Sequence, residues 1–269
     1  MRVDVGRLKE FYASPLGEAA RRMIERRIAA IWPHADRLDV LGIGYSDIYL
    51  ERLQVGARRS VSAAPAGQGA SPWPSSGKCA TTLVDEERLP FPDALFDRVL
   101  VVHGLEESDS PSRILREIWR VCAPEARILL VAANRAGLWA RAETTPFGHG
   151  RPFSRSQLDA ILKDAMFQPT AWARALYAPP AQWSFITSAA ETWEKTGEIG
   201  WRGFGGVLMV EAVKRLYIDP RTASAKVAPS RKTVAAGVSQ PQQSREADAA
   251  RRQAGDVAVP ARDVELTGN

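Results

Sequence analysis

Residues 83–99 of the chain read Leu-Val-Asp-Glu-Glu-Arg-Leu-Pro-Phe-Pro-Asp-Ala-Leu-Phe-Asp-Arg-Val, and this stretch decides the fold. It starts at the end of a short apolar run, passes through a turn with two prolines, and enters the apolar run 96–102. Proline and aspartate are typical of turns, whereas a short apolar run rich in valine is typical of a buried strand. The stretch therefore predicts two strands joined by a turn.

The flanking segments alternate between strand and helix patterns. Short apolar runs predict strands at 38–43, 60–64, 80–84, 96–102 and 127–132, and the run 205–213 predicts a final strand near the sheet edge. Apolar residues at three- and four-residue spacing predict a helical segment at 5–32, with a break at Ser14-Pro15, and a short helix after the first strand. The same spacing predicts helices at 113–121 and from Ser154 onward. This alternation indicates βαβ units, so we predict a doubly wound, mainly parallel α/β sheet flanked by helices.

The composition divides the chain into two parts. It has 269 residues, of which 45% are hydrophobic and 25% charged, as in ordinary globular proteins. We predict one folded domain over residues 1–219, in which residues 1–34 form an N-terminal helical cover. Residues 220–269 contain no aromatic residue and are rich in Ala, Ser, Gln, Arg and Pro. Such a segment buries too little apolar surface to fold, so we predict a disordered tail.

Charge and cysteine content exclude some classes of function. Residues 221–269 contain eight Lys or Arg and five Asp or Glu, so +3 of the net charge of +5 lies outside the predicted domain. Nucleic-acid binding is therefore not indicated. Cys79 and Cys122 have no Cys or His at metal-ligand spacing, which predicts neither a metal site nor a disulfide scaffold. No signal sequence or run of about 18 apolar residues is evident, so we expect a cytoplasmic protein without membrane association. The oligomeric state stays open.

The first predicted strand ends in Gly42-Ile43-Gly44-Tyr45-Ser46, directly before a helix. In doubly wound sheets such a glycine turn lets the backbone approach a nucleotide-like ligand, and the helix N-terminus offers unpaired N–H groups. A dinucleotide fingerprint would require a third glycine where Asp47 stands. A nicotinamide-dependent oxidoreductase is therefore the weaker interpretation.

The stretch 83–99 resembles the class I S-adenosylmethionine (SAM)-dependent methyltransferases, most closely the methyltransferase type 11 group. Residues 116–124, Arg-Glu-Ile-Trp-Arg-Val-Cys-Ala-Pro, extend the similarity, and 41–45 with 135–141 are similar to an alphaproteobacterial branch. The resemblance covers about residues 38–213. It implies a seven-stranded Rossmann-like sheet, SAM as the cofactor, and methyl transfer to an unidentified small-molecule acceptor.

The resemblance also implies roles for individual residues. Asp85 would accept a hydrogen bond from the adenine amino group, the alternative being a turn carboxylate. His103, which follows the fourth strand with Glu106 nearby, would be the general base and a cofactor contact, the alternative being a structural histidine. Phe11 and Tyr12 would cover the cofactor or pack in the core. The other expected cofactor contacts are Gly42, Gly44, Tyr45, Ser46 and Glu86.

Two departures from the family pattern keep a second function open. The first motif of the family reads acid-x-Gly-x-Gly-x-Gly, and its four defined positions fall on Gly42, Gly44, Ser46 and Ile48, so only Gly44 matches. The end of the second strand, 62–67, contains no carboxylate to hold the ribose hydroxyls. The alternative is a catalytically inactive methyltransferase-fold protein with a binding or regulatory role.

Two further histidines have weaker assignments. His149 lies in a glycine-containing loop, 146–153, that would cover the pocket, so a substrate contact and a purely structural role are both open. His34 stands beside Pro33 at the end of a predicted helix and is expected at the surface.

Overall fold

The computed structural model of the protein describes residues 2–180 and 204–216. The predicted tail, 220–269, lies outside these ranges, as do Trp183 and Trp201. The described part contains five α-helices, α1 Val5–Ala13, α2 Pro15–Ile31, α3 Asp47–Leu53, α4 Pro111–Val121 and α5 Arg155–Asp164. Its seven strands are β1 Asp39–Gly44, β2 Arg59–Pro65, β3 Thr81–Val84, β4 Phe96–Val102, β5 Cys122–Ala133, β6 Phe167–Ala175 and β7 Val207–Lys214.

The strands form one sheet in the order β3-β2-β1-β4-β5-β7-β6. The pairs among β1 to β5 are parallel, whereas β7 runs antiparallel to both β5 and β6. The predicted doubly wound, mainly parallel sheet is therefore confirmed. The strand order reverses between β1 and β4, and ligands of such sheets bind at the carboxyl ends of the strands beside this switch point.

Apolar residues alternate between the two faces of the sheet. Leu100 packs with α1, α2 and α3 on one face, and its neighbour Val101 packs with α4 and α5 on the other. Both faces of the central strands are thus covered, which explains why β4 reads as a nearly continuous apolar run. None of the helices among the described residues is both long and apolar enough to cross a bilayer.

The break between the first two helices follows local chemistry. Ser14 separates α1 from α2, its Oγ accepts a hydrogen bond from the Gly17 backbone N–H at 3.1 Å, and Pro15 occupies the first turn of α2. Serine at the N-cap followed by proline is a strong helix start, so the predicted break is confirmed. On the exposed side of α2, Arg21 and Arg22 pair with glutamates four residues away, as expected for a solvated helix face.

The far end of the sheet differs from the prediction. The strand predicted near the edge is β7, which instead lies between β5 and β6 and is buried along its whole length. The true edge strand, β6, was not predicted, because it mixes polar residues with Pro169, which lies beside a register shift. Proline is tolerated in edge strands, where its missing N–H costs no ladder bond.

Burial of β7 requires partners for its charged residues. The Glu211 carboxylate accepts hydrogen bonds from Trp32 Nε1 at 2.9 Å, Arg127 Nη1 at 2.9 Å and Thr170 Oγ1 at 2.8 Å. These bonds hold the pKa of Glu211 below its usual range against the opposing effect of burial. The network thus satisfies a buried charge and ties α2 to the sheet.

Candidate cofactor and catalytic site

The glycine turn after β1 lies directly against the end of β4. Gly44 has φ +79°, and a Cβ atom there would overlap the carbonyl oxygen of Val102. The next residue, Tyr45, donates its backbone N–H to that same oxygen at 2.8 Å. Only glycine combines this backbone conformation with such a close approach. The predicted glycine turn is therefore placed at the switch point of the sheet.

Gly42 and Ser46 explain the altered first motif. A Cβ atom on Gly42 would overlap Ser46 Oγ, so the acidic residue that the family pattern calls for has no room here. Ser46 is fully buried, and its Oγ has no hydrogen-bond partner within the described part of the chain. A buried hydroxyl without a partner is costly, which marks this position as a candidate ligand contact.

His103 lies one residue beyond β4. Together with Gly44, Tyr45, Ser46 and Tyr12 it forms a packed region that we call the crevice. It is 6% exposed, has φ +50°, and its Nε2 lies 2.8 Å from the Tyr12 hydroxyl of α1. Burial lowers the pKa of His103 to about 3, so the ring is neutral at physiological pH. Burial also raises the pKa of Tyr12 well above its usual range, which keeps the hydroxyl protonated.

Aromatic side chains cover His103 from two directions. The Tyr12 ring stacks on Tyr45 with 5.5 Å between ring centroids. The ring centroid of Phe147, from the loop after β5, lies 4.8 Å from that of His103 and 6.2 Å from that of Phe11. The N-terminal helix and the 146–148 turn thus close the crevice together. Tyr12 belongs to the apolar core and Phe11 packs against it, which is the core-packing alternative considered for both residues.

Glu106 is the second titratable group of this region. It is 5% exposed, its Oε1 accepts the Ala133 N–H at the end of β5 at 2.8 Å, and its Oε2 has no partner in the described ranges. Burial raises the pKa of Glu106 to about 7. The carboxyl group therefore exchanges its proton near neutral pH, unlike His103.

The loop after β2 contributes the side-chain amide of Gln68, whereas the family pattern has a ribose-binding carboxylate at the end of this strand. Gln68 is buried, its Nε2 donates to the His103 carbonyl oxygen at 3.3 Å, and its backbone oxygen accepts the Val5 N–H at 2.8 Å. Its Oε1 has no partner among the described residues. Sequence reasoning missed Gln68, because the search for a ribose-binding carboxylate ended at Gly67. The sequence signal that could have identified Gln68 is that it is the first polar residue after β2.

An open cavity of about 320 Å³ lies beside the crevice. Asp85 and Glu86, two of the predicted cofactor contacts, line it, whereas Gly44, Tyr45, Ser46 and His103 lie in the packed crevice. Five carboxylates and one guanidinium surround the cavity. Its full lining is Arg2, Gly67, Asp85, Glu86, Glu87, Glu107, Ser108 and Asp109.

Local contacts already engage part of this lining. Asp85 is exposed, and its Oδ1 accepts the Glu87 backbone N–H at 2.9 Å, which is the turn role considered for it above. Glu86 forms an ion pair with Arg2. The second oxygen of Asp85 retains its capacity to accept.

The remaining two histidines differ in their surroundings. His149 is half-buried in the loop whose Arg151 N–H bonds the Glu106 carbonyl oxygen at 2.7 Å. His34 is exposed, as predicted.

Comparisons with known proteins agree with this architecture. Residues 41–130 match the methyltransferase type 11 family model, described as a methyltransferase domain. The ubiquinone/menaquinone biosynthesis C-methyltransferase UbiE of Bordetella parapertussis is 42% identical over 55 residues, which are 20% of this chain and 21% of that protein. The similarity thus spans about a fifth of the curated relative.

Two solved structures share the fold across most of the chain. A SAM-dependent methyltransferase from Thermotoga maritima superposes with a TM-score of 0.57 at 16% identity, over 78% of this chain and 96% of that one. Another from Aquifex aeolicus has a TM-score of 0.53 at 13% identity, over 79% and 100%.

The sheet order, with its antiparallel seventh strand, and the site at the carboxyl ends of β1, β2 and β4 define a class I methyltransferase fold. Residues 41–130 carry the match to the methyltransferase type 11 family model. The predicted fold class and the predicted resemblance to class I methyltransferases are therefore confirmed.

Proposed function

We propose that the protein is a SAM-dependent methyltransferase that acts on a small-molecule acceptor. The observation that carries the proposal is a set of buried, unpartnered polar atoms in loops that meet at His103. They are Ser46 Oγ, Gln68 Oε1 and Glu106 Oε2, counted within the described residues. Each follows a different strand at the edge where this fold binds ligands.

Such atoms indicate a ligand because of their energetic cost. A buried donor or acceptor without a partner costs about 1–3 kcal/mol, and most proteins avoid it. A polar ligand that displaces the aromatic cover would satisfy them and recover this free energy. The crevice is enclosed and lined by aromatic rings, which suits a small acceptor better than a folded macromolecule.

The residues present fit SAM at the cavity end of the site. Asp85 retains an oxygen for the adenine amino group, and Glu86 lies beside it. SAM is a cation overall, and the five carboxylates around the cavity against one guanidinium favour a cation. SAM supplies an already activated methyl group, so the protein contributes mainly binding and alignment.

The other end of SAM would lie in the crevice now packed by Tyr12. Gly42, Gly44, Tyr45, Ser46 and His103 would hold it there, with the Gln68 amide in place of the usual ribose carboxylate. We infer that the segment before and including α1 moves when SAM enters. Three contacts hold that segment. Two are to the cavity lining, Arg2 with Glu86 and the Val3 N–H with Glu107 Oε2 at 2.8 Å, and the third joins the Val5 N–H to the backbone oxygen of Gln68 at 2.8 Å.

Calorimetric titration with SAM and with its product S-adenosylhomocysteine tests the proposal. We expect micromolar binding of both, tighter for SAM, with the difference between the two reduced at high salt as the charge of the cavity is screened. A folded protein that binds neither ligand at millimolar concentration would support the catalytically inactive alternative instead.

A further inference from the structure

Glu106 is held rigidly while one of its oxygens stays free. The Ala133 N–H fixes Oε1 at 2.8 Å, and the Arg151 N–H fixes the backbone carbonyl oxygen at 2.7 Å. The side chain is more than nine-tenths buried, and no described residue bonds Oε2. The Ala133 backbone N–H therefore orients the carboxyl group, while Oε2 is left without a partner among the described residues.

The position of Glu106 places it near the reacting centre of the proposed function. It follows His103 in the loop after β4, and its charge is close enough to act on the Tyr12 hydroxyl. The next two residues, Glu107 and Ser108, line the cavity. Glu106 thus lies in the loop that joins the crevice to the cavity.

We propose that Glu106 Oε2, rather than the His103 imidazole, is the general base that takes the proton of the methyl acceptor, an inference that rests on the proposed function. The lone pair of the acceptor forms the new bond to the methyl carbon, and the electron pair of the broken S–C bond stays on sulfur. The proton released from the acceptor O–H or N–H passes to Oε2. The proposal thus requires an acceptor that loses a proton on methylation, such as an alcohol, a phenol, or a primary or secondary amine.

The surroundings of the two residues support this division of roles. His103 Nε2 already bonds Tyr12, and a ring whose pKa is about 3 is a weak base. A group whose pKa is about 7 is matched to proton transfer at neutral pH. The titratable groups around Glu106 are the neutral Tyr12 and His103 and the adjacent Glu107, whose negative charge raises the pKa of Glu106 further.

The kinetic test compares Glu106→Gln with Glu125→Gln, a matched control whose exposed carboxylate lies near the start of β5, away from the site, in an ion pair with Arg215. Formation of S-adenosylhomocysteine from SAM is followed against pH with three probe classes: phenols, primary amines and tertiary amines. We expect Glu106→Gln to lower kcat about 10²- to 10⁴-fold and to remove an acid limb near pH 7, with the Kd for SAM changed less than about threefold. Glu125→Gln should retain that limb, and Glu106→Gln should leave any methylation of tertiary amines unchanged, because these acceptors have no proton to lose.

An acceptor-independent readout completes the test. Infrared difference spectra of the wild type should show a protonated carboxyl band that titrates near pH 7, absent in Glu106→Gln and present in Glu125→Gln. The inference is overturned if this band is missing, if Glu106→Gln is fully active, or if no O–H or N–H probe is methylated by a protein that binds SAM. Failure of the wild type to bind SAM would instead refute the proposed function.

Discussion

Burial gives His103 and Glu106 opposite protonation behaviour, although only two residues separate them. Removal from water disfavours the charged form of each group, so the pKa of the histidine falls and that of the glutamate rises. Neither shift depends on a nearby ion pair as its largest cause. His103 is therefore uncharged at neutral pH, whereas Glu106 is partly ionised there, and both groups take part in folding through linkage.

The pH dependence of stability should reveal the depressed pKa of His103. The unfolded chain protonates this residue below about pH 6.5, whereas the buried ring stays neutral down to about pH 3. Its contribution to the free energy of unfolding is therefore present above pH 6.5 and is lost as pH falls toward 3, by up to about 1.4 kcal/mol per pH unit.

The variant His103→Asn is the comparison for this prediction, because asparagine does not titrate and tolerates the positive φ of this position. Denaturant titrations from pH 4 to pH 8 should show the wild type losing stability relative to the variant as pH falls. Parallel curves for the two proteins would mean that His103 titrates normally in the folded state.

Asp85 should contribute to SAM affinity through the oxygen that its turn does not use. In Asp85→Asn the amide oxygen can still accept the Glu87 N–H, but the NH₂ group cannot accept from the adenine amino group. Loss of that bond should weaken SAM binding about tenfold in calorimetry, with the melting temperature unchanged. Equal affinities would leave Asp85 with its turn role alone.

At the scale of secondary-structure elements, packing tightly constrains the turn after β1. Gly44 combines a left-handed backbone with contact to the Val102 carbonyl oxygen. Two strands that are distant in sequence meet there, because β1 and β4 are neighbours in the sheet. The turn therefore serves both the fold and the site.

Gly44→Ala should destabilise the protein by at least about 1–2 kcal/mol, through the left-handed backbone alone. Gly67→Ala is a matched control, since a Cβ atom there meets nothing within 4 Å. Denaturant unfolding should show a loss for the first variant and a near-wild-type midpoint for the second. Equal stability of Gly44→Ala would show that the turn has another conformation in solution.

At the scale of the folded domain, the N-terminal segment packs against the loops at the carboxyl edge of the sheet. Its described part, residues 2–13, contacts Glu86, Glu107, Gln68 and His103, which come from the loops after β2, β3 and β4. One short segment thus bridges the cavity and the crevice. Entry of SAM should depend on how firmly this segment is held.

Tyr12→Phe should ease that entry. The change removes the hydrogen bond to His103 Nε2 but keeps the ring that stacks on Tyr45. A neutral hydrogen bond contributes about 1 kcal/mol, so the association rate for SAM should rise about fivefold in stopped-flow measurements. If the rate does not change, the segment does not limit access to the site.

The predicted tail can be tested separately. Deleting residues 221–269 should leave the melting temperature nearly unchanged, because the composition of this segment does not support an apolar core of its own. A large fall in the melting temperature would move the domain boundary toward the C-terminus.

Local sequence patterns were sufficient to predict where most helices and strands lie, but not which strands pair with each other in the sheet. The run 96–102 predicted β4 with its observed bounds, and Ser14-Pro15 predicted the break between α1 and α2. The neighbours of β7 could not be predicted, because its apolar run is compatible with any buried position in the sheet. The polar composition of β6 concealed a strand that pairs with β7 throughout.

The sequence by itself determined the α/β class, the methyltransferase resemblance and the candidates Asp85 and His103, because apolar periodicity, turn residues and family motifs are local properties. The tertiary structure alone decided that Tyr12, 91 positions away, bonds His103. It also decided that Gln68 enters the site and that Glu106, instead of His103, has a pKa near neutrality. Burial and hydrogen bonding depend on which distant segments pack together, and that information appears only once the sheet is assembled.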